Sequence, residues 1–503
     1  MKIIDLLRSS TQKKPDSAAV KSESIELTYH RLLSDADYLA GFLNGCRPGV
    51  KTAIVLGNCA EYFTAFFAIC AAGGTIVPLS ARMTTYEISR FVERSDISIA
   101  ITARLYGQRL LEWLDAQISI VSIEYNSDGR LQVETLRSGS FKVDNENTDL
   151  ALMVYTSGTT GQRKIVMLTD DQLISNMFIY KFLMGFDEHN VVYCSLLFHH
   201  IYCICAQLLT HISLADTFVV YDRPFFIKDF LKAVETHKVT VSAFVPYMAI
   251  LMAEFPQPEK FNLQSLRYIT LSGAKTPKTV YQRLTKRFRH IQFINTYGMS
   301  EAGSRISIAA PEPNKFPVES VGTPMPGIKV RITDENGRTL PPDSVGEIQV
   351  KSSGVMKGYY KQPELTLQTI KNGWLKTGDL GKLDQDGNLF LVGRKKEIII
   401  SGGTNIYPVE IEECLMEHAS VLEAAVVGKP DRRLQEVPCA FIVKKSDARI
   451  SIPELIYFCK RHLSSYKIPA SFYFVKGIPR LGTSKIDRRR LKKLANKRFK
   501  VQL

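Results

Sequence analysis

The segment that most constrains this chain is a short loop rich in glycine and hydroxyl groups. Residues 156–164 read Thr-Ser-Gly-Thr-Thr-Gly-Gln-Arg-Lys, and residues 150–155 before them form the continuous apolar run of a buried strand. Glycines let backbone N–H groups approach an anion, hydroxyls add uncharged donors, and the two basic side chains offset negative charge. The pattern predicts a polyphosphate loop at the end of a strand, although this composition is also typical of an exposed surface loop.

The spacing within this loop excludes the Walker type of phosphate-binding loop. Gly158 and Gly161 are three residues apart rather than five, and Ile165, not Ser or Thr, follows Lys164. Whether the segment binds phosphate must therefore be judged from motifs elsewhere in the chain.

Helix and strand patterns alternate through the first 150 residues. Apolar periodicity predicts helices at residues 32–43 and Ala60–Ala72, the second ending at Gly73, and strands at residues 52–56 and 75–79. Further strands are predicted at residues 191–194, 217–221, 241–245 and Tyr268–Leu271. This alternation predicts an α/β fold of mostly parallel sheets covered by helices.

A different pattern begins at Ile328, where short strands are separated by the turns Asn336-Gly337 and Asp386-Gly387. After Val392 the chain becomes charged, and about a hundred residues of self-contained α+β pattern follow. A chain of 503 residues is too long to fold around a single hydrophobic core of ordinary size. We therefore expect a large N-terminal domain of residues 1–392, including a β-rich subdomain, and a small mobile C-terminal domain of residues 393–503.

The chain carries a positive charge with several possible partners. Lys plus Arg outnumber Asp plus Glu by 65 to 50, for a net +15, and many of the basic residues lie in residues 485–493. A basic tail could bind nucleic acid. The same charge suits a nucleotide, the phosphates of coenzyme A or an acidic carrier protein, and we expect one of these rather than nucleic acid.

No pattern in the sequence predicts export or membrane insertion. Charged side chains interrupt residues 1–8 too early for a signal peptide. No apolar run approaches the roughly 18 residues of a transmembrane helix. Nine cysteines without a C-x-x-C pair agree with a reducing compartment. A cytoplasmic protein without a transmembrane segment is expected.

Four further segments of the chain bear on the interpretation of the phosphate loop. Residues 295–301 read Asn-Thr-Tyr-Gly-Met-Ser-Glu, residues 373–379 read Gly-Trp-Leu-Lys-Thr-Gly-Asp, residues 393–403 begin Gly-Arg-Lys-Lys-Glu, and residues 479–488 contain Thr-Ser-Lys-Ile-Asp. With the loop, and in this order, they resemble the motifs of the adenylate-forming superfamily. That superfamily contains acyl-CoA synthetases, aryl-acid ligases, luciferases and peptide-synthetase adenylation domains, and the pattern is most similar to acyl- or aryl-CoA ligases.

The resemblance implies roles in nucleotide binding. The ring of Tyr297 would stack on adenine, Glu301 with Thr160 would hold Mg²⁺, and Asp379 would accept hydrogen bonds from both ribose hydroxyls. An aromatic face and a hard carboxylate ligand suit these roles. Without the resemblance, Glu301 would read as an exposed residue after a turn and Asp379 as a turn former.

The resemblance also implies two states of the small domain. Arg394 would reach the nucleotide, Lys396 would be the pivot of a domain rotation, and Gly402-Gly403 would line a channel for a pantetheine thiol. Lys485 would enter the active site during adenylation. A solvated pivot with few bulky contacts is suited to such a hinge, and a charged domain linker is the alternative.

Residues 195–200 resemble the segment that borders the acyl pocket, with His199 as the family match. Adjacent residues of a strand face opposite ways, which argues against metal chelation by His199 and His200 together. No Asp follows to pair with an α-ammonium group, and an apolar carboxylic acid is expected rather than an amino acid.

The predicted site is assembled from these segments. The expected catalytic residues are Lys485, Thr160, Glu301 and His199, and Glu301 and Thr160 are the expected metal ligands. The expected nucleotide, pantetheine and hinge residues are Thr156, Ser157, Gly158, Thr159, Thr160, Gly161, Lys164, Gly273, Ala274, Asn295, Thr296, Tyr297, Gly298, Ser300, Asp379, Arg394, Lys396, Gly402 and Gly403.

The predicted reaction is ATP-dependent conversion of a carboxylic acid to an acyl-adenylate with release of pyrophosphate, followed by transfer to the thiol of coenzyme A. ATP, Mg²⁺ and coenzyme A are the expected cofactors. Loading of an acidic carrier protein through its phosphopantetheine is the alternative, and a non-catalytic nucleotide-binding homologue is a second one.

Overall fold

A computed structural model describes residues 1–43, 45–156, 164–186, 189–310, 316–446, 448–481 and 485–497. The helices are α1 (Ile3–Lys13), α2 (Tyr29–Phe42), α3 (Ala60–Ala72), α4 (Thr85–Ser95), α5 (Arg104–Trp113), α6 (Asp170–Met184), α7 (Ile201–Cys203), α8 (Thr210–Ile212), α9 (Ile227–His237), α10 (Pro246–Glu254), α11 (Lys278–Arg287), α12 (Pro363–Thr369), α13 (Pro408–Glu417), α14 (Ile452–His462) and α15 (Arg488–Asn496). A π-helix, Ile204–Leu209, joins α7 to α8. None of the helices in these ranges has the length and apolarity needed to span a membrane.

The strands alternate with these helices along most of the chain. They are β1 (Ala18–Lys21), β2 (Glu26–Thr28), β3 (Lys51–Leu56), β4 (Thr75–Ser80), β5 (Ile97–Thr102), β6 (Ser119–Tyr125), β7 (Leu131–Arg137), β8 (Leu150–Thr156), β9 (Lys164–Thr169), β10 (Val191–Tyr193), β11 (Thr217–Val219), β12 (Val241–Phe244), β13 (Tyr268–Leu271), β14 (Gln292–Tyr297), β15 (Ser307–Ile308), β16 (Thr323–Pro324), β17 (Lys329–Thr333), β18 (Gly346–Lys351), β19 (Gly358–Tyr359), β20 (Ile370–Lys371), β21 (Trp374–Leu383), β22 (Leu389–Arg394), β23 (Ile399–Ser401), β24 (Thr404–Ile406), β25 (Val421–Asp431), β26 (Gln435–Lys444) and β27 (Ser471–Phe474). The described strands form four sheets.

Two large sheets make up most of the N-terminal part. One has the order β16-β15-β14-β13-β12-β10-β11-β1-β2, and the other has the order β19-β9-β8-β4-β3-β5-β6-β7. Their central strands are parallel, whereas the edge strands pair antiparallel. Strands β3 and β5 are buried along their whole length, as expected of parallel strands covered on both faces. The predicted fold class is confirmed.

The local sequence of helix α3 explains its burial and its end. Apart from Glu61 it is buried from Ala60 to Ile69, and it belongs to the apolar core that also includes residues of both large sheets. The helix ends because Gly73 adopts the left-handed conformation, with φ of 76°, and Thr75 then starts β4. Its bounds are those predicted from the sequence.

The other predicted elements are present with shifted ends. The helix expected at residues 32–43 begins earlier, at Tyr29, because the Thr28 hydroxyl accepts a hydrogen bond from the Arg31 N–H and caps it. Strand Tyr268–Leu271 has the predicted bounds, whereas the strand expected at residues 217–221 ends at Val219.

The β-rich pattern after Ile328 forms a third sheet, β17-β18-β21-β20 with β22 on β21. The fourth sheet, β24-β23-β26-β25 with β27 on β26, is packed by α13 and α15 in the C-terminal part. Strand β22 continues to Arg394, past the predicted division after Val392. The position of that division stays a prediction.

Candidate active site

The predicted nucleotide motif begins where β14 ends. Tyr297 is the last residue of β14, and its hydroxyl donates a 2.8 Å hydrogen bond to Asp379 Oδ2. Burial and the Asp379 charge both raise the pKa of Tyr297, and the phenol keeps its proton. A Cβ atom on the next residue, Gly298, would overlap the carbonyl oxygen of Ser304, so only glycine fits there.

Asp379 is buried on β21 and is held by several partners. Arg394 Nε lies 2.7 Å from Asp379 Oδ1, and the Asp379 N–H donates to the Thr377 hydroxyl over 3.0 Å. Burial lowers the pKa of Arg394, but the nearby negative groups together, with Asp379 the largest contributor among them, outweigh burial and raise the pKa overall. A carboxylate fixed on both sides in this way can accept ribose hydroxyls without reorganising.

Glu301 lies on a short 3₁₀ turn directly after the Tyr297 motif. Its side chain is buried, and Oε1 accepts a 2.9 Å hydrogen bond from the Tyr359 hydroxyl. The ammonium of Lys164, at the start of β9, lies 4.7 Å from the centre of the Tyr359 ring. Glu301 and Lys164 therefore share one aromatic neighbour, which brings the end of the predicted phosphate loop to the predicted metal ligand.

Lys485 reaches this group of residues from the C-terminal part. Its side chain faces the open cleft, where burial and the nearby Arg394 charge lower the pKa of its ammonium, while Asp379 and Glu301 oppose that shift. The lysine is therefore within electrostatic reach of both predicted nucleotide residues. An ammonium at this position can offset the charge of an anion bound in the cleft.

Two contacts hold the C-terminal part against the cleft. The Lys275 ammonium lies 2.8 Å from Glu413 Oε1, and the Arg480 guanidinium lies 4.6 Å from the ring centre of Tyr247. Both side chains line a cavity of about 120 Å³ that Gly273 and Lys485 also line. This cavity joins the two parts of the chain at the site.

The predicted hinge lies beside the same cleft. Lys396 is on the exposed 3₁₀ turn after β22, and partial burial and the neighbouring Arg394 charge lower its pKa to about 8. Gly402 and Gly403 form the tip of the β23–β24 hairpin, with φ of 55° and 82°, and both are exposed. The lysine is at the cleft, whereas the glycine pair is at the surface.

The histidine pair differs from the sequence-based interpretation. His199 and His200 lie in a turn before α7 rather than in a strand, and their ring centres are 4.2 Å apart instead of on opposite faces. The argument against joint chelation was wrong in its geometry. Burial, with the Arg82 charge, lowers the pKa of His199 to about 4.

His200 lies beside the cleft, although the sequence analysis selected only its neighbour His199. Burial, His199 and the charge of Lys485 all lower the pKa of His200, so its neutral ring lies within reach of the cleft lysine. Its Nε2 atom is buried without a hydrogen-bond partner among the described residues. The apolar residues that follow directly after His200 could have marked it as the second candidate.

The structure describes some of the remaining predicted site residues, and the others lie outside the described ranges. Thr156 and Lys164 pair across the β8–β9 hairpin, and Gly273 and Ala274 are exposed at the end of β13. Thr296 is buried on β14, Asn295 donates to the Ser320 carbonyl over 3.2 Å, and Ser300 opens the Glu301 turn. The other predicted loop residues lie outside the described residues, namely Ser157, Gly158, Thr159, Thr160 and Gly161.

Comparison with known proteins agrees with this arrangement. The sequence model of the AMP-binding enzyme family matches residues 7–360, and that of the AMP-binding enzyme C-terminal domain matches residues 410–485. The first match alone covers more than half of the chain.

Relatives of known function align along almost the whole chain. The long-chain-fatty-acid–CoA ligase of Bacillus subtilis (strain 168) is 31% identical over 528 residues, covering 97% of this chain and 93% of the relative. The 2-succinylbenzoate–CoA ligase of Bacillus cereus (strain ZK / E33L) is 30% identical, covering 95% and 96%.

A solved structure shares the fold. The o-succinylbenzoate coenzyme A synthetase of Bacillus subtilis, in complex with its acyl-adenylate intermediate, superposes with a TM-score of 0.82 at 29% identity, covering 97% of each chain. The resemblance and the reaction class predicted from the sequence motifs are confirmed. The chain therefore belongs to the AMP-binding enzyme family and is an adenylate-forming acid–thiol ligase.

Proposed function

We propose that this enzyme joins a carboxylic acid to coenzyme A in two steps that share one cleft. A carboxylate oxygen attacks the α-phosphorus of ATP, the bond to the β-phosphate breaks, and pyrophosphate leaves. The thiol sulfur of coenzyme A then attacks the acyl carbon, AMP leaves, and the thiol proton is released. The observation that carries the proposal is Lys485 facing the cleft within reach of Asp379 and Glu301.

The first step depends on position and charge. Asp379, held by Tyr297 and Arg394, would accept the ribose hydroxyls and fix the nucleotide along the end of β14. The ammonium of Lys485 would lie between the attacking carboxylate and the α-phosphate. Such placement lowers the barrier because negative charge builds up where a cation is already fixed.

Glu301 has the chemistry of a Mg²⁺ ligand. Its carboxylate is buried and anchored through Oε1 by Tyr359. A hard cation prefers such oxygens and takes its other ligands from phosphates and water. Glu301, with Thr160 from the phosphate loop, would hold the ion, which would offset the charge of the pyrophosphate.

The second step requires the small domain to turn. Lys485 and the Gly402-Gly403 tip belong to the same C-terminal part, yet Lys485 faces the cleft while the glycines face solvent. Rotation about Lys396 would exchange them and bring the glycine tip to the thiol channel. With Lys485 at the cleft, the arrangement described above would be the one that supports adenylation.

Coenzyme A is favoured as the acceptor over a carrier protein. The relatives named above are both coenzyme A ligases. One acts on a long-chain fatty acid and the other on 2-succinylbenzoate, so their names leave the acid of this enzyme open between an aliphatic and an aromatic class.

The test is a two-part assay over fatty, aryl and short-chain acids. Pyrophosphate release is followed with ATP and each acid, and acyl-CoA is then detected by mass spectrometry after coenzyme A is added. We expect both products for at least one acid, and loss of both in Glu301→Gln. ATP binding without acid-dependent pyrophosphate release would contradict the proposal. Acyl transfer to a carrier protein but not to coenzyme A would contradict the proposal that coenzyme A is the acceptor.

A further inference from the structure

A fully buried cation lies beside the proposed active site without a counterion among the described residues. Arg305 is only 1% exposed, and its Nε, Nη1 and Nη2 atoms have no hydrogen-bond partner in the described part of the chain. No carboxylate of the described residues forms an ion pair with it. A buried charge left unpaired is among the most unfavourable features a folded protein can have, so an anion that the described residues do not supply is expected there.

The guanidinium is held in place by stacking rather than by pairing. It lies 3.4 Å from the ring centre of Tyr180 and 5.2 Å from that of Tyr202. The Tyr202 hydroxyl is also close, but a phenol supplies no negative charge. Stacking uses the flat face of the guanidinium and leaves the N–H groups at its edge free for a planar anion.

The backbone of this residue is fixed independently of its side chain. Asn176 of α6 donates from Nδ2 to the Arg305 carbonyl over 2.8 Å, and its Oδ1 accepts from the Arg305 N–H over 3.3 Å. A residue anchored through both backbone groups and stacked on Tyr180 is preorganised. Such a site loses little entropy when an anion binds.

The contact with the Tyr202 ring links Arg305 to the residues just after the segment that was predicted to border the acyl pocket. Arg305 follows Glu301 by four residues, and Tyr202 follows His200, the neighbour of Lys485, by two residues. The Tyr202 hydroxyl hydrogen-bonds with Thr270 of β13 over 2.7 Å. The Tyr202 ring is partly exposed, and its centre lies 5.2 Å from the Arg305 guanidinium carbon.

We propose that Arg305 binds a second carboxylate of the substrate, and that the enzyme therefore activates a dicarboxylic acid. This inference rests on the proposed function, because the first carboxylate must react near Lys485. The acid would extend from the lysine past His200 and Tyr202, with its far carboxylate forming a bidentate pair with the guanidinium edge. The expectation of an uncharged apolar acid overlooked this buried cation.

The test compares acids that differ only in the second carboxylate. Matched pairs are hexanoic and adipic acid, octanoic and suberic acid, and benzoic and terephthalic acid, each assayed for acid-dependent pyrophosphate release and acyl-CoA formation. We expect wild-type kcat/KM to favour the dicarboxylic member of at least one pair by tenfold or more. In Arg305→Met, the preferred diacid should lose ten- to hundredfold, while its monoacid partner changes less than threefold.

Two variants control for charge and for stacking. Arg305→Lys keeps the charge but not the planar fork, and it should retain part of the preference for the diacid. Arg331 also stacks on an aromatic ring, 4.1 Å from the centre of Trp374, but it lies on β17 and pairs with Gln349. Arg331→Met should leave the ratio of diacid to monoacid unchanged.

The outcomes separate this inference from the proposed function. Monoacids turned over with no preference for any diacid would overturn the role of Arg305 and leave the ligase assignment intact. Equal losses for diacid and monoacid in Arg305→Met would also overturn it. No turnover of any acid would contradict the ligase assignment itself. If Arg305→Met does not fold, the wild type still decides, since the preferred diacid should raise its unfolding temperature more than the matched monoacid.

Discussion

The hydroxyl of Tyr297 donates a hydrogen bond to Asp379 Oδ2 over 2.8 Å, and this bond joins the end of β14 to β21. The residue expected to stack on adenine thus supports the residue expected to hold the ribose. Arg394 completes the group on Asp379 Oδ1. Nucleotide affinity should therefore depend on these three side chains together.

Substitutions in this group should affect ATP more than the acid. Tyr297→Phe removes one hydrogen bond, and we expect KM for ATP to rise about three- to tenfold, in line with roughly 1 kcal/mol per bond. Asp379→Ala also leaves Arg394 without its partner and should raise KM for ATP further. The acid KM should change less than twofold in both variants. Unchanged ATP kinetics in Tyr297→Phe would show that this hydrogen bond does not contribute to nucleotide affinity.

Gly298 should tolerate no side chain, for a steric reason alone. A Cβ atom there would overlap the Ser304 carbonyl, whereas a Cβ atom on Gly477 would meet nothing within 4 Å. We expect Gly298→Ala to lose about 1–3 kcal/mol of unfolding free energy and most of its ATP binding. Gly477→Ala serves as the matched control and should behave as wild type in chemical denaturation and nucleotide titration. Comparable stability of the two variants would show that the Tyr297 turn is looser than described.

Lys396 should make stability depend on pH in a defined direction. Its pKa is about 8 in the folded protein, below the ordinary 10.5, because of partial burial and the Arg394 charge. Between pH 8 and 10.5 Lys396 is mostly protonated in the unfolded state and mostly neutral in the folded state. The free energy of unfolding therefore rises with pH in this range. Below pH 8 the lysine is charged in both states and its charge opposes folding.

Lys396→Met should therefore be more stable than wild type at pH 7, and this difference should shrink as pH approaches 10.5. Thermal unfolding without nucleotide, measured for both proteins across this range, provides the test. Lys382→Met, which removes a surface lysine paired with Asp343 at 3.1 Å, is the control. A constant difference from pH 7 to pH 10.5 would contradict the lowered pKa.

The ion pair of Lys275 and Glu413 should favour the adenylation arrangement. It joins the two parts of the chain over 2.8 Å, and burial raises the pKa of Glu413 while Lys275 opposes that rise. Lys275→Met should slow acyl-adenylate formation by about three- to tenfold, corresponding to about 1 kcal/mol. The conversion of supplied acyl-adenylate to acyl-CoA should not slow. Equal slowing of both half-reactions would indicate a general loss of structure instead.

Much of the framework could be predicted because local sequence sets it. Helix Ala60–Ala72 is bounded by Gly73, and the strand Tyr268–Leu271 is a short apolar run, so neither depends on distant contacts. The segment from Ile201 to Ile212 is different. It is buried at every position except Tyr202 and contains a π-helix between two short α-helices, and no periodic pattern distinguishes that arrangement.

The site could be predicted only where residues stand in recognisable motifs. Asp379 and Glu301 lie within electrostatic reach of Lys485, and their roles stay predictions. Arg305 follows directly after such a motif but reads in sequence as one more cation among 65 basic residues. Its significance comes from burial between Tyr180 and Tyr202, which are more than a hundred residues away in sequence. Arg488 is the opposite case, since this residue of the predicted basic tail is mostly shielded from solvent and pairs with Glu412.

The central claim is that Lys485 serves adenylate formation and not thioester formation. Rapid quench measurements on Lys485→Ala test it by following the two half-reactions separately, from ATP and acid to acyl-adenylate, and from supplied acyl-adenylate and coenzyme A to acyl-CoA. The account predicts that the first rate falls by two orders of magnitude or more, since a cation facing the developing charge is lost, while the second changes less than threefold. Equal losses in both half-reactions, or an unchanged first rate, would contradict it.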